Sequence, residues 1–170
     1  MFRRSILTAL LFLCMPTSLV AQQINKEIVL GPETGLPLPR FVSLKVDAGN
    51  MRVQPSTNHA RSHIYLREGL PFKVLEERGD WRRVEDYEGV QGWMKNTILS
   101  NNRTFRVMVP MANLYVRADM QSPVRAKLEE RVVGNLNFCR IDGWCRADLP
   151  EASGWILAQD LWGVMPGEEF

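Results

Sequence analysis

From residue 40 onward, apolar positions fall in short runs rich in Val, Phe, Leu and Trp, separated by polar or Gly-containing turns at about ten-residue spacing, with no sustained helical period. The pattern predicts an all-β chain. Sliding it against itself by 62 to 65 residues exposes an internal repeat. Trp81-Arg82-Arg83-Val84 falls on Trp144-Cys145-Arg146-Ala147, and Gly92-Trp93-Met94 on Gly154-Trp155-Ile156. Tyr65-Leu66-Arg67-Glu68 falls on Lys127-Leu128-Glu129-Glu130, and Asn50-Met51-Arg52 on Tyr115-Val116-Arg117. Two copies are indicated, over residues 40–100 and 104–164. Each begins with an alternating strand, Phe41 to Val46 or Phe105 to Val109, and continues through a long polar excursion, Val53 to Ser62 or Ala118 to Arg125. Three strands joined by tight turns follow, and Ile98-Leu99 or Leu161-Trp162 closes the copy. About five short strands in about 60 residues bury both faces by curling into a small β-barrel.

The segment ahead of the repeats has a different grammar. Met1-Phe2-Arg3-Arg4 is a short basic head, and the apolar run from Ile6 to Met15 is too short to span a bilayer. Pro16 to Ala21 supplies the small-residue region of a signal peptide, which predicts removal of residues 1–21 and a periplasmic or secreted product with no membrane span. Residues 22–39, punctuated by Gly31, Pro32, Gly35, Pro37 and Pro39, read as a flexible linker without ladder pairing.

Losing residues 1–21 removes Arg3 and Arg4 and no acid, so 21 Lys+Arg against 19 Asp+Glu becomes 19 against 19. A neutral chain without a basic stripe excludes nucleic acid or an anionic membrane gripped by counterion release. Cys14 departs with the signal, which leaves Cys139 and Cys145 as an even pair in an exported chain. Ile141-Asp142-Gly143 can form a three-residue hairpin loop that sets the two cysteines directly across from one another, so a disulfide is expected. A metal half-site is the competing use, but no second ligand pair is available.

Catalysis finds little to work with. A bridged pair leaves no thiol to act as nucleophile, and the only histidines, His59 and His63, lie in the polar excursion of the first copy. No phosphate loop or serine-nucleophile motif occurs, and the paired carboxylates adjoin basic residues as on a solvated sheet face. The expectation is no enzyme, no cofactor and no metal. Binding is the better use of the sequence. Strand alternation separates Trp81 from Val84 and Trp144 from Ala147, so each indole leans outward at the same turn if its partner is core. Two readings stand side by side: a stacking platform for an extended peptide or sugar, or structural cover beneath the long loop. Trp93 and Trp155 read as mainly structural. Arg52, Arg61, Arg82, Arg117 and Arg146 are candidate carboxylate forks, with Arg52 and Arg117 at one repeat position, and Tyr87 and Tyr115 border the same groove.

Pro39-Arg40-Phe41-Val42-Ser43-Leu44-Lys45, Trp81-Arg82-Arg83-Val84, Gly92-Trp93 and the closing Leu161-Trp162-Gly163-Val164 resemble the bacterial SH3-like (SH3b) family, notably a tandem group of exported proteins from Gram-negative bacteria. The resemblance covers about residues 39–167 and is stronger in the first copy. The family's Arg-Ser-Gly-Pro after the second strand is replaced here by Arg52-Val53-Gln54-Pro55 and Arg117-Ala118-Asp119-Met120. The resemblance implies two tandem SH3-like barrels serving as a non-catalytic module, with peptidoglycan peptide or glycan as ligand. The alternative is an adaptor that docks another envelope protein.

Overall fold

The computed structural model describes residues 28–170. The expected signal peptide at 1–21 and the start of the linker lie outside the described residues. The rest is β-structure with two single 3-10 turns and no α-helix among the described residues. A hairpin of β1 (Val29–Leu30) and β2 (Pro37–Leu38) precedes two units of the same plan. The first comprises β3 (Arg40–Leu44), β4 (Gly49–Arg52), β5 (Arg61–Tyr65), β6 (Pro71–Arg78), β7 (Trp81–Glu85), β8 (Gln91–Lys95), a 3-10 turn at Asn96–Ile98 and β9 (Leu99–Ser100). The second comprises β10 (Thr104–Val107), β11 (Met111–Tyr115), β12 (Val124–Glu129), β13 (Val133–Cys139), β14 (Trp144–Asp148), β15 (Ser153–Leu157), a 3-10 turn at Ala158–Asp160 and β16 (Leu161–Trp162).

Both sheets run antiparallel in the same order, β5-β4-β8-β7-β6-β3-β9 and β12-β11-β15-β14-β13-β10-β16. The expectation of five strands per copy is therefore too low. Each polar excursion ends in a paired strand, and each closing segment adds a two-residue strand at the far edge. The terminal strands of each order do not pair with each other, so the sheet curls without a closing ladder. Curling is evident from the cores. Val42, Met51, Tyr65, Phe72, Val84 and Met94, from six different strands, share one buried cluster. Phe105, Leu114, Leu128, Leu136, Ala147 and Ile156 do the same in the second unit.

Strand pairing also corrects one block of the repeat. Arg52 faces Trp93 and Tyr115 faces Trp155, so Tyr115 is the counterpart of Arg52, and Arg117 lies two residues beyond. The error escapes the hydrophobic pattern because a slip of two residues preserves the inside-outside alternation. A register shift immediately before Arg52 and Tyr115 hides it further.

The described part of the linker is not free. Its two strands pair, and the intervening turn closes on Glu77 of β6, whose side chain is fully buried. Oε1 accepts from the Thr34 hydroxyl and the Arg40 guanidinium, both at 2.7 Å, and Oε2 accepts from the amides of Glu33 and Thr34 at 3.0 Å. Arg82 Nε lies 3.5 Å from Oε1. Gly31 is required at this closure, since a Cβ there would sit 2.4 Å from the carboxylate. Proline and glycine here make the hairpin bend that lets backbone donors converge on one acceptor.

In the second unit the positions of Glu77 and Arg82 are taken by Cys139 and Cys145, paired across β13 and β14. They form the expected disulfide, with Gly143 at φ 85° in the loop between them. The same place in the two sheets is thus closed by an ion pair in one and a covalent bridge in the other.

The units pack directly. The Trp162 indole donates to the Pro71 carbonyl at 3.1 Å and meets the Phe41 ring edge-on at 5.1 Å, with the Lys73 ammonium 4.9 Å from its centroid. The Arg106 guanidinium lies 3.8 Å from the Tyr87 ring, and Arg67 donates to the Arg131 carbonyl at 3.0 Å. Trp162→Ala should remove about 1–2 kcal/mol of coupling between the units. Calorimetry checks this: one transition in the parent protein should separate into two in the variant.

Candidate functional site

The β7–β8 hairpin is shaped by Asp86, whose Oδ1 accepts from the amides of Glu88 and Val90 and whose Oδ2 accepts from the buried Tyr65 hydroxyl at 2.7 Å. Burial together with this carboxylate pushes the Tyr65 hydroxyl far above the usual phenol range. With its turn fixed, the hairpin sets Trp81 opposite Lys95 and Arg83 opposite Trp93, while Val84 points into the core. Trp81 lies on the outer face, as alternation requires.

Trp81 is half-buried in a groove of about 110 Å³ lined also by Asn50, Arg52, Thr57, Lys95 and Ile98. One wall is the loop after β4, closed by the Val53 amide, which donates to the Ala60 carbonyl, and by Arg52, which donates to the His59 carbonyl. The Lys95 ammonium stands 5.8 Å from the Trp81 ring centroid. An indole face between a guanidinium and an ammonium can stack an apolar or planar group while holding a neighbouring carboxylate. His59 and His63 are both exposed, with His63 ring-to-ring 6.3 Å from Tyr65.

The second unit builds the same corner closed. Tyr115, in the place of Arg52, packs edge-on against Trp144 at 5.5 Å, and its hydroxyl accepts from the Asn113 amide at 3.2 Å. Leu157 replaces Lys95 opposite the tryptophan. Trp144 is 9% exposed and Tyr115 8%. Trp144 therefore lies on the outward face that alternation predicts, yet it is covered, because an aromatic neighbour fills the space that an arginine leaves open.

Of the residues expected at a ligand site, the structure brings Arg52 and Trp81 together and pairs Tyr115 with Trp144. Three others lie elsewhere. Arg82 is 6% exposed and donates to the carbonyls of Gly79 and Trp81 beside Glu77. The alternation that turns Trp81 outward turns Arg82 inward with Val84. Tyr87 lies under Arg106 at the contact between units rather than in the groove. Arg117 is exposed on the loop after β11, where its backbone amide donates to the Ser122 hydroxyl, and Tyr115 rather than Arg117 takes the place beside Trp144. Lys95 carries no signal in the repeat pattern, yet counting the register outward from the Glu88-Gly89 turn places it across from Trp81.

Among curated proteins, none matches the chain. Similar solved structures include NlpC2 from Trichomonas vaginalis, at 14% identity and TM-score 0.34, covering 73% of this chain and 48% of that one. NlpC1 from the same organism shows 14% identity and TM-score 0.33 over 78% and 48%. An NlpC/P60 family protein from Bacillus cereus shows 16% identity and TM-score 0.33 over 72% and 55%. The chain spans about half the length of each. Residues 45–101 and 108–163 each match the bacterial SH3 domain, one match per seven-stranded sheet. With two matched copies covering most of its length, the chain belongs to the bacterial SH3 domain family.

Proposed function

We propose that the protein is a non-catalytic binding module of the periplasm or cell surface, and that its first unit holds a carboxylate-bearing peptide of the cell wall. The observation that carries this reading is the contrast between the two tryptophan corners. Trp81 is open and flanked by Arg52 and Lys95, whereas Trp144 is sealed by Tyr115 and Leu157. A ring kept accessible beside two cations suits an acidic peptide: the indole supplies contact area, and the cations supply charge-assisted hydrogen bonds. The basic head and apolar run at the start of the chain support export.

Co-sedimentation with purified peptidoglycan tests the proposal. The intact protein should pellet with the polymer, and Trp81→Ala should weaken retention about tenfold, in line with loss of an aromatic anchor. Arg117→Ala, remote from the groove, should leave retention unchanged. Failure of the intact protein to pellet sinks the reading, and equal retention of Trp81→Ala removes the groove from it.

A further inference from the structure

A second concavity, larger than the Trp81 groove, is built jointly by the two units. This cleft of roughly 620 Å³ lies between the end of β3 with the turn after β5, and the start of the second unit with the end of β14. Its volume falls in the range of small-ligand pockets, about 300–1,000 Å³. Its walls are held in place by the Trp162, Arg106 and Arg67 contacts described above. Its floor is formed where the two units touch: Val133 packs against the first unit's core, and a Cβ on Gly69 would meet Val133 Cγ1 at 3.5 Å.

The lining is mainly polar and contains no aromatic ring, so it offers no stacking surface for a sugar or base. Three exposed charges reach it, Lys45 and Glu68 from the first unit and Asp148 from the second. None has an ion-pair partner among the described residues, whereas Glu77, Glu85 and Glu168 all do. Asn102 and Asn135 add side-chain amides of which neither makes a side-chain hydrogen bond among the described residues.

We infer that this cleft is a second binding site, for a short peptide that carries a free primary amine as well as a carboxylate. Glu68 from the first unit and Asp148 from the second line the same cleft, and each carboxylate can accept from the donors of an ammonium group. Among the described residues Lys45 is the one cation in the lining and can meet the carboxylate, and the two asparagines present donors and acceptors to the peptide main chain. The inference is independent of the Trp81 reading, because no residue is common to the two sites.

Nuclear magnetic resonance titration of the ¹⁵N-labelled protein with the tripeptide Ala-Lys-Ala, free at both termini, tests the site. Saturable shifts are expected at the amides of Lys45, Glu68, Asn102, Asn135 and Asp148. The doubly acetylated tripeptide should bind at least about tenfold more weakly, and so should the parent tripeptide to the Glu68→Gln/Asp148→Asn variant. Trp81→Ala should leave the affinity unchanged. Both carboxylates are exposed, so their replacement leaves the fold intact. Shifts confined to the Trp81 groove, equal binding of the acetylated peptide, undiminished binding by the double variant, or no saturable shift at all would each overturn the inference.

Discussion

Glu77→Ala should destabilise the first unit by about 3–5 kcal/mol, the usual consequence of removing one partner from a buried ion pair. The carboxylate is fully buried and is the shared acceptor for Arg40, Arg82, the Thr34 hydroxyl and two backbone amides. Its loss leaves the guanidinium of Arg82 enclosed without a counter-charge and removes the anchor of the β1–β2 hairpin. Urea denaturation should show the loss, and limited proteolysis should show cleavage moving into residues 28–38. Glu77→Gln keeps an acceptor oxygen but not the charge, so it should fall between the parent and the alanine variant.

The same group makes stability depend on acid. Burial acts to raise the Glu77 carboxyl, but hydrogen bonds from Thr34, Arg40 and the amide of Glu33 outweigh it and hold the pKa at about 2. In the unfolded chain the group returns to an ordinary glutamate value of about 4.3. Its contribution, about 3 kcal/mol by linkage, is therefore complete above the unfolded value and is lost as pH falls towards the folded one. Glu85, held below the usual carboxylate range by its hydrogen bond from Lys73, acts in the same direction. The difference in stability between the parent and Glu77→Ala, measured from neutral pH downward, should narrow between about pH 4.5 and pH 2. A gap that stays constant through that window contradicts this account.

Removing the second unit's bridge, by Cys139→Ala/Cys145→Ala or by a reducing dithiol, should cost about 2 kcal/mol. The bridge closes a sequence separation of 6, so chain entropy supplies a modest amount. Cys139 also exchanges backbone hydrogen bonds with Phe170, at 3.1 and 3.3 Å. Phe170 lies against Arg103 at 3.8 Å, and Glu168 holds the same guanidinium with both oxygens. Loosening β13 and β14 thus reaches the last residues of the chain. In the Trp162→Ala background, where the two units should unfold separately, thermal unfolding followed by tryptophan fluorescence should shift by about 10 °C in the second unit, while the first keeps its transition. Equal shifts in both units would show that the bridge stabilises the pair as a whole.

Much of this architecture is legible in the chain. The repeat shows itself through Trp81 and Trp144 and through the Gly-Trp pairs, because residues that are large, or that tolerate close approach, are poorly replaceable in a curled sheet. Gly154 illustrates the constraint: a Cβ there would lie 2.6 Å from the Tyr115 carbonyl. The disulfide is equally legible, since a hairpin loop of known length fixes its cross-strand partner. Arg82 is a different lesson. Its inward direction follows from the alternation already used for Trp81, and a charge at an inward position asks for a buried partner. Glu77 is that partner, one strand away.

The class of fold, the two copies, the turns and the covalent staple are all written along the chain. All of these depend on interactions within a strand, a hairpin or a repeat, where separation along the chain sets separation in space. The docking of the Pro/Gly segment on Glu77, the sealing of one tryptophan corner by Tyr115 while Arg52 leaves the other open, and the cleft between the two units emerge only in the folded molecule. Those outcomes depend on side chains meeting from distant strands. The pattern of inside and outside says which face a residue takes, but not which neighbour covers it.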